Sequence, residues 1–307
     1  MRNPSMPAAG GETKLDRTAL LAVWRRALVG DLPVSPAEAV VGELADYFHL
    51  DPAEVERRCR DWERDSLREW SGKDRSTPEG LTDFYQTQSS WIFDTMWYHA
   101  EQTSESKPAE SVDIAEGFLK RLGDWTPGNH LDFGAGPGTC SLFFHKLGWR
   151  VSLADISTTF LDFAKWRLAK HNVDARFYDT TVDEIPADEF DLITALDVMV
   201  HVPDIGATLD RLNRALKPNG YLVFNIDNRP RTELTQWHLY EEQYPILRQV
   251  RVHGYARCPK IAYFHVFQKV SRSKVAAAGV AVCDMLRYNR VASTIGKVVR
   301  AAGIRRS

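Results

Sequence analysis

The chain of 307 residues has only four cysteines, Cys59, Cys140, Cys258 and Cys283, and no two of them form a CxxC pair or stand at a metal-ligand spacing. A disulfide framework and a structural zinc are therefore not expected, and a reducing, cytoplasmic setting fits. No charge of one sign dominates: 39 Lys plus Arg stand against 41 Asp plus Glu, a net charge of −2. Without a bulk positive field nucleic acid is not an expected partner, and any charged ligand must be met locally. Long apolar runs are missing as well. No stretch reaches the roughly 18 uncharged apolar residues of a membrane span, and the first residues hold no apolar signal-peptide core, so a protein neither secreted nor membrane-spanning is expected. No internal repeat is apparent. What remains, 44% hydrophobic and 26% charged residues, is ordinary globular composition in a length that suits one large α/β domain plus an appended unit.

Residues 1–13 (MRNPSMPAAGGET) are rich in Pro, Gly and small side chains and read as a frayed leader. Residues 14–110 read as a helical cap. Two helices are expected between Leu20 and Asp51, the second opened by Ser35-Pro36-Ala37-Glu38: an N-cap serine, a proline at the first helical position and a glutamate at N3 satisfy otherwise unpaired amides. Asp51-Pro52-Ala53-Glu54 repeats the device. In the helix that follows, Val55, Cys59, Trp62, Ser66 and Trp70 recur at a 3.6-residue period and mark a packing face. After a polar connection from Ser71 to Gly80, Phe84 to Tyr98 reads as one helix crowded with aromatics, among them Tyr85 and Trp91.

Residues 111–270 change pattern. Leu131–Phe133, Val151–Ala154, Ala175–Tyr178, Leu192–Ala195 and Tyr221–Asn225 read as strands alternating with helical intervals, which means a parallel sheet. Gln249–Val252 and Tyr263–Val270 are separated by Gly254–Lys260 alone, too short for a crossover helix, so a hairpin and an antiparallel edge are expected there. Residues 271–307 carry eight Lys or Arg against one acid, Asp284. Val291, Ile295, Val298 and Val299 give this tail an apolar stripe. Packing of the stripe on the sheet domain or on a second subunit is favoured over peripheral contact with an anionic membrane, because interfacial Trp or Phe residues are missing.

The segment with most chemistry in it is Leu131-Asp132-Phe133-Gly134-Ala135-Gly136-Pro137-Gly138-Thr139, a strand running into a glycine turn and then an amphipathic helix. Its GxGxG misses the dinucleotide spacing GxGxxG by one, and Thr139-Cys140 stands where a P-loop needs Lys-Ser/Thr. At the end of the second strand Asp155, followed by Ile156, is placed to accept both hydroxyls of a ribose. The third strand ends in Asp179-Thr180, the fourth leads into Leu196-Asp197 and His201, and Leu216-Lys217-Pro218-Asn219-Gly220 announces the fifth.

This ordered series resembles the class I S-adenosylmethionine-dependent methyltransferases over about residues 114–270. The resemblance implies a Rossmann-like sheet of seven strands, mostly parallel with the last antiparallel, and S-adenosyl-L-methionine as cofactor. It places Gly134, Gly136 and Gly138 under the methionine part of the cofactor, Asp132 near its amino group, Asp155 on the ribose and Asp179 at the adenine amino group. Leu196 to His201, with Asp197, would border cofactor and substrate. Val200 stands where many members with such a histidine have glutamate.

Plainer readings remain open at each position: a structural turn for the glycines, a helix cap for Asp155, a local turn for Asp179, a structural histidine for His201 and core packing for the aromatics. As a ligand residue, Asp155 should be removable with little loss of stability. The expected function is methyl transfer by in-line displacement to a small-molecule acceptor, without metal, with His201 as general base if the acceptor is a hydroxyl. Tyr85, Trp91 and Tyr240 would form an aromatic wall, and Asn225, Asp227 and His238 follow the fifth strand at the ligand-binding end of the sheet. A quinone-like or lipid-like acceptor, a non-catalytic cofactor-binding protein and, least favoured, an NAD-dependent oxidoreductase are the alternatives.

Overall fold

The computed structural model describes residues 15–73, 77–104, 106–122, 126–227 and 243–270, together with 229, 232–233, 237–240, 279 and 282. The leader and all of the basic tail except Gly279 and Val282 lie outside the described residues.

The cap consists of α1 (Arg17–Val29), α2 (Pro36–Phe48), α3 (Pro52–Arg60), α4 (Trp62–Ser71), α5 (Pro78–Thr87) and α6 (Ser90–Glu101). The Ser35 hydroxyl accepts from the Glu38 amide while the Glu38 carboxylate accepts from the Ser35 amide, so both halves of the capping box form. Asp51 accepts from the Ala53 amide at the start of α3.

Two of the expected helices are each divided. The helix after Asp51 breaks at Asp61 (φ −100, ψ 15), yet Val55, Cys59, Ser66 and Trp70 all remain buried, because a one-residue interruption near helical ψ keeps the stripe on one side. The Phe84–Tyr98 helix breaks at Gln88 and Ser89. There the Glu69 carboxylate of α4 accepts from the amides and hydroxyls of Ser89 and Ser90, and an anion at the start of α6 stabilises the new helix N-terminus.

A two-residue ladder, β1 (Thr103–Ser104) with β2 (Lys107–Pro108), leads into α7 (Glu110–Leu122). The main domain then runs β3 (Asn129–Phe133), α8 (Thr139–Lys146), β4 (Arg150–Asp155), α9 (Thr158–Lys170), β5 (Arg176–Asp179), β6 (Phe190–Ala195), α10 (Ile205–Ala215), β7 (Leu216–Phe224), α11 (Gln243–Val252), β8 (Tyr255–Arg257) and β9 (His265–Lys269). Among the described residues the sheet has seven strands in the order β5-β4-β3-β6-β7-β9-β8. Only β9 runs against the rest, pairing antiparallel with both β7 and β8.

The hairpin differs in place from the sequence reading. Gln249–Val252 is not a strand but the end of α11, in which Ile246 and Val250 lie one turn apart and are both buried. Its Pro245 occupies the first turn, where no amide donor is needed. The strand Tyr255–Arg257 takes the edge, so the antiparallel strand is second from it.

Successive strand residues feed opposite faces. Leu192, Val223 and Val266 pack with α1, α2, α7, α8 and α9, whereas Ile193, Leu222, Phe224 and Phe267 pack with α10 and α11. A third cluster of Trp70, Phe84, Tyr85 and Trp237 lies where the cap meets the loops after the strands. The strand order reverses between β3 and β6, and in open α/β sheets the crevice beyond the strand ends at such a point receives ligands. Among the described residues no helix is long and apolar enough to cross a membrane.

Candidate active site

The turn after β3 sits at that crevice. Gly134, Gly136 and Gly138 have φ of +71, +52 and +74, and the amides of Gly134 and Ala135 both donate to the Ala154 carbonyl at the end of β4. At Gly134 a Cβ would lie 2.1 Å from Val198 Cγ2, so the turn after β6 packs directly on this backbone. At Gly136 a Cβ would meet only the Phe160 ring, at 3.7 Å, which leaves ordinary space over the turn. Gly138 begins α8 without a side-chain cap, so its first amides point toward this space uncovered by any capping side chain.

Carboxylates surround the turn. Asp132 is buried on β3, where Thr194 Oγ1 and Ser141 Oγ donate to its two oxygens at 3.0 Å each. Burial pushes its carboxyl up to about 7, with Asp155 adding to the effect against those two hydrogen bonds. Asp155 accepts from the Gly136 and Ser157 amides, both at 2.9 Å, and is raised by burial despite these bonds. It is thus a ligand candidate that also ties the glycine turn to the start of α9. The helix cap itself is Ser157, whose side chain accepts from Phe160. Because removing Asp155 would leave the buried Ser157 amide and the part-buried Gly136 amide without this partner, the expectation that stability would barely change is corrected. Asp179 turns one oxygen inward to the Thr181 amide and hydroxyl, and Thr180 is held by its backbone to Asp155 and Arg211.

On the other side of the turn, Leu196 is half-buried and Asp197 takes a left-handed conformation (φ +53). Asn225 holds it there: its carbonyl accepts from the Asp197 amide at 2.7 Å and its amide donates to the Asp197 carboxylate. Asn225, expected to meet substrate, is therefore engaged in shaping the turn after β6. Burial and Asp227 raise the Asp197 carboxyl. Burial likewise raises Asp94 to about 7 and Glu110 to about 8, each with Asp197 among its neighbours. Raised carboxyls from α6, α7 and the turn after β6 thus gather around Asp197, an arrangement that suits a cationic ligand.

The expected aromatic wall exists with one member exchanged. Trp91 meets Trp237 edge to face at 5.4 Å and Tyr85 at a tilt at 6.0 Å, and His201 lies 5.9 Å from both Tyr85 and Trp91. Tyr240 faces away, its hydroxyl donating to the Pro203 carbonyl at 3.3 Å, and Trp237 takes its place. Ile156, next to Asp155, packs against this cluster, so the wall adjoins the end of β4.

Tyr85 Oη donates to the Trp237 carbonyl at 3.1 Å and lies 3.3 Å from His201 Nδ1. Burial pushes the Tyr85 phenol well up, so it stays protonated. With its proton on Trp237, its oxygen accepts from His201 Nδ1–H, which assigns the tautomer and leaves Nε2 as an acceptor. Burial, aided by His238, lowers His201 to about 3, and the imidazole is neutral. His238 stands 5.0 Å behind it with Nε2 at 3.8 Å from Asp227, whose carboxyl is held below its ordinary value by Arg229 in spite of burial.

Residues 110–258 match a family model described as a methyltransferase domain. Over these residues the chain is similar to methyltransferase domains. Over 100 residues it is 39% identical to a ubiquinone biosynthesis O-methyltransferase of Rhodopseudomonas palustris (strain HaA2) and 36% identical to one of Bradyrhizobium sp. (strain ORS 278). Each match covers 32% of this chain and 40% of the relative, so the chain spans about two fifths of the length of the curated relatives it matches. The solved structure of Haemonchus contortus phosphoethanolamine N-methyltransferase 2 in complex with S-adenosyl-L-methionine superposes with a TM-score of 0.45 at 23% identity, over 57% of this chain and 44% of that one.

The residues around the glycine turn fit S-adenosyl-L-methionine in shape and charge. The open space over Gly136 and the uncapped start of α8 offer room and amides, and carboxyls raised by burial and by neighbouring acids suit a ligand carrying a sulfonium and an ammonium. His130, Asp132 and Cys140 bring metal-ligand atoms within 4.8 Å of one another, but Thr194 Oγ1 already contacts all three. Sequence reasoning missed Trp237, Asp94 and Glu110. The aromatic beside His238 was a usable signal for Trp237, whereas an acid on a polar-looking helix carries none.

Proposed function

We propose that this chain transfers a methyl group from S-adenosyl-L-methionine to the hydroxyl of a small aromatic, phenol-like acceptor. The observation that carries the reading is His201, whose Nε2 has no hydrogen-bond partner among the described residues and which stands among Tyr85, Trp91 and Trp237 beside the turn after β6. The O-methyltransferase names of the relatives point the same way.

When bound, S-adenosyl-L-methionine supplies an electrophilic methyl group on sulfur. The protein's part is alignment, exclusion of water and acceptance of one proton. Trp91 and Trp237, edge to face with one another, form one wall for a flat acceptor. His201 Nε2 takes the hydroxyl proton as the oxygen–carbon bond forms, while Nδ1–H on Tyr85 steadies the ring. A base lowered to about 3 is always unprotonated at neutral pH but is weak, so its contribution falls at the lower end of the ~10²–10⁴-fold range for general bases. Asp155 would hold the ribose and Asp132 the ammonium, with Gly136 leaving room for the chain between them. The buried free thiols Cys59 and Cys140 agree with a cytoplasmic setting.

The test is turnover of methyl-labelled cofactor with matched phenols, catechols and amines, products read by mass spectrometry. Label on oxygen is expected. Label on amines alone refutes the hydroxyl reading, and cofactor binding with no methylated product from any acceptor supports a binding protein instead.

A further inference from the structure

Arg167 of α9 is fully buried, and its guanidinium joins the helical cap to the glycine turn. Nε donates to Glu43 Oε2 of α2 at 2.6 Å, and Nη1 donates to the Pro137 carbonyl at 3.1 Å and to Thr139 Oγ1 at 2.7 Å. Thr139 passes its own proton onward to His99 Nδ1 of α6 at 3.0 Å, and the other Glu43 oxygen meets His171 Nε2 at 2.6 Å. Burial alone would raise the Glu43 carboxyl, but Arg167 and His171 outweigh it and hold it below its ordinary value. Pro137 lies in the glycine turn and Thr139 opens α8 directly after it. A single side chain therefore bonds an acid of the cap, a carbonyl of the glycine turn and the first hydroxyl beyond it.

Removing two charges from water costs several kcal/mol per ion, and an apolar pair of similar volume would hold two helices as well. Docking α2 on α9 does not need it: Lys170 and Asp46 join the same two helices at 2.7 Å in an exposed pair. The buried pair does one thing that the exposed pair does not, which is to reach the backbone of the glycine turn. Arg167 is also over-provided for a plain bridge, with Nη2 buried and unpartnered.

We propose that Glu43 and Arg167 are positioning residues for the cofactor, through which docking of the cap fixes the conformation of the glycine turn. The inference rests on the cofactor reading above. Cap docking and cofactor binding then share one equilibrium, and linkage makes the effect reciprocal: whatever the cap does for affinity, the ligand returns as protection of the cap.

Two measurements test this on the full chain, with S-adenosylhomocysteine as probe. Glu43→Gln, at a temperature well below its own melting point, should bind the probe about 5–20-fold more weakly by calorimetry. Lys170→Met, which cuts the exposed pair, should bind as wild type. Second, the probe should slow amide exchange in α2 of the wild-type protein, although no α2 residue lies on the glycine turn, and this slowing should shrink in Glu43→Gln. The wild-type exchange measurement stands even where the variant does not fold. Equal affinity in Glu43→Gln, or unchanged exchange in wild-type α2 on saturation with the probe, overturns the coupling and leaves a structural ion pair. Wild-type protein that binds no S-adenosylhomocysteine refutes the cofactor reading first, and the coupling with it.

Discussion

Two neighbouring glycines should respond to the same substitution in opposite ways. Gly136→Ala puts a methyl group 3.7 Å from Phe160, an ordinary contact, so the cost to the fold is the left-handed backbone alone, about 1–2 kcal/mol. About half of that is offset by the reduced freedom of the unfolded chain, worth ~0.4–1 kcal/mol. At roughly 2–4 °C per kcal/mol, the melting temperature should fall by only a few degrees. Binding of S-adenosylhomocysteine should nevertheless weaken by about tenfold or more, because the new methyl group occupies the space where backbone and ligand approach.

At Gly134 the added Cβ would lie 2.1 Å from Val198 Cγ2, and Val198 must move by more than an ångström. Overpacking of about 1–3 kcal/mol adds to the backbone term, for a total of ~2–4 kcal/mol and a drop of roughly 5–15 °C. The double variant Gly134→Ala/Val198→Ala should recover much of the steric part, a non-additivity of about 1–3 kcal/mol. Differential scanning fluorimetry and calorimetric titration of these proteins, with Val198→Ala added to close the cycle, give both readings. Wild-type affinity in Gly136→Ala would remove the glycine turn from the cofactor site. Equal stability of Gly134→Ala and wild type would show that the turn after β6 does not pack on it.

His201→Ala should lower turnover of a phenolic acceptor about 10²-fold while leaving the affinity for S-adenosylhomocysteine unchanged, and unaltered single-turnover rates would make the histidine structural. Asp155→Ala should weaken cofactor binding by ~2–4 kcal/mol and, by orphaning the Gly136 and Ser157 amides, cost ~1–3 kcal/mol of ligand-free stability; a variant as stable as wild type would contradict the hydrogen bonds described. Stability should depend on pH from two sides. His99, His130 and His201, lowered to about 3, contribute fully above ~6.5 and lose that contribution as pH falls towards 3. Asp132 and Asp94, raised to about 7, and Glu110, raised to about 8, contribute fully below ~4 and lose it as pH rises through 7 to 8. The ligand-free melting temperature should therefore decline between pH 6.5 and 8 by an amount that S-adenosylhomocysteine reduces, and a rise over that window would refute the raised carboxyls.

What was legible in the sequence is what short segments determine. Caps at Ser35 and Asp51, the strand-to-helix turn at Gly134–Gly138 and the acids ending β4 and β5 depend on residues a few positions apart, so local propensity and spacing reveal them. Where two local patterns compete, tertiary packing decided. Val250 and Val252 alternate like a strand, but burial of Ile246 and Val250 against the sheet makes α11 a helix. The Glu69 carboxylate divides the Phe84–Tyr98 helix from 20 residues away. Only the folded chain could show that Trp237 rather than Tyr240 completes the aromatic wall, since both follow β7 and the choice rests on which one meets α5 and α6. The same holds for Glu43 and Arg167, which are 124 positions apart. A charged residue on an amphipathic helix reads as solvated until a partner from elsewhere in the chain buries it, because the attraction that makes burial tolerable acts through space and leaves no trace in the local pattern.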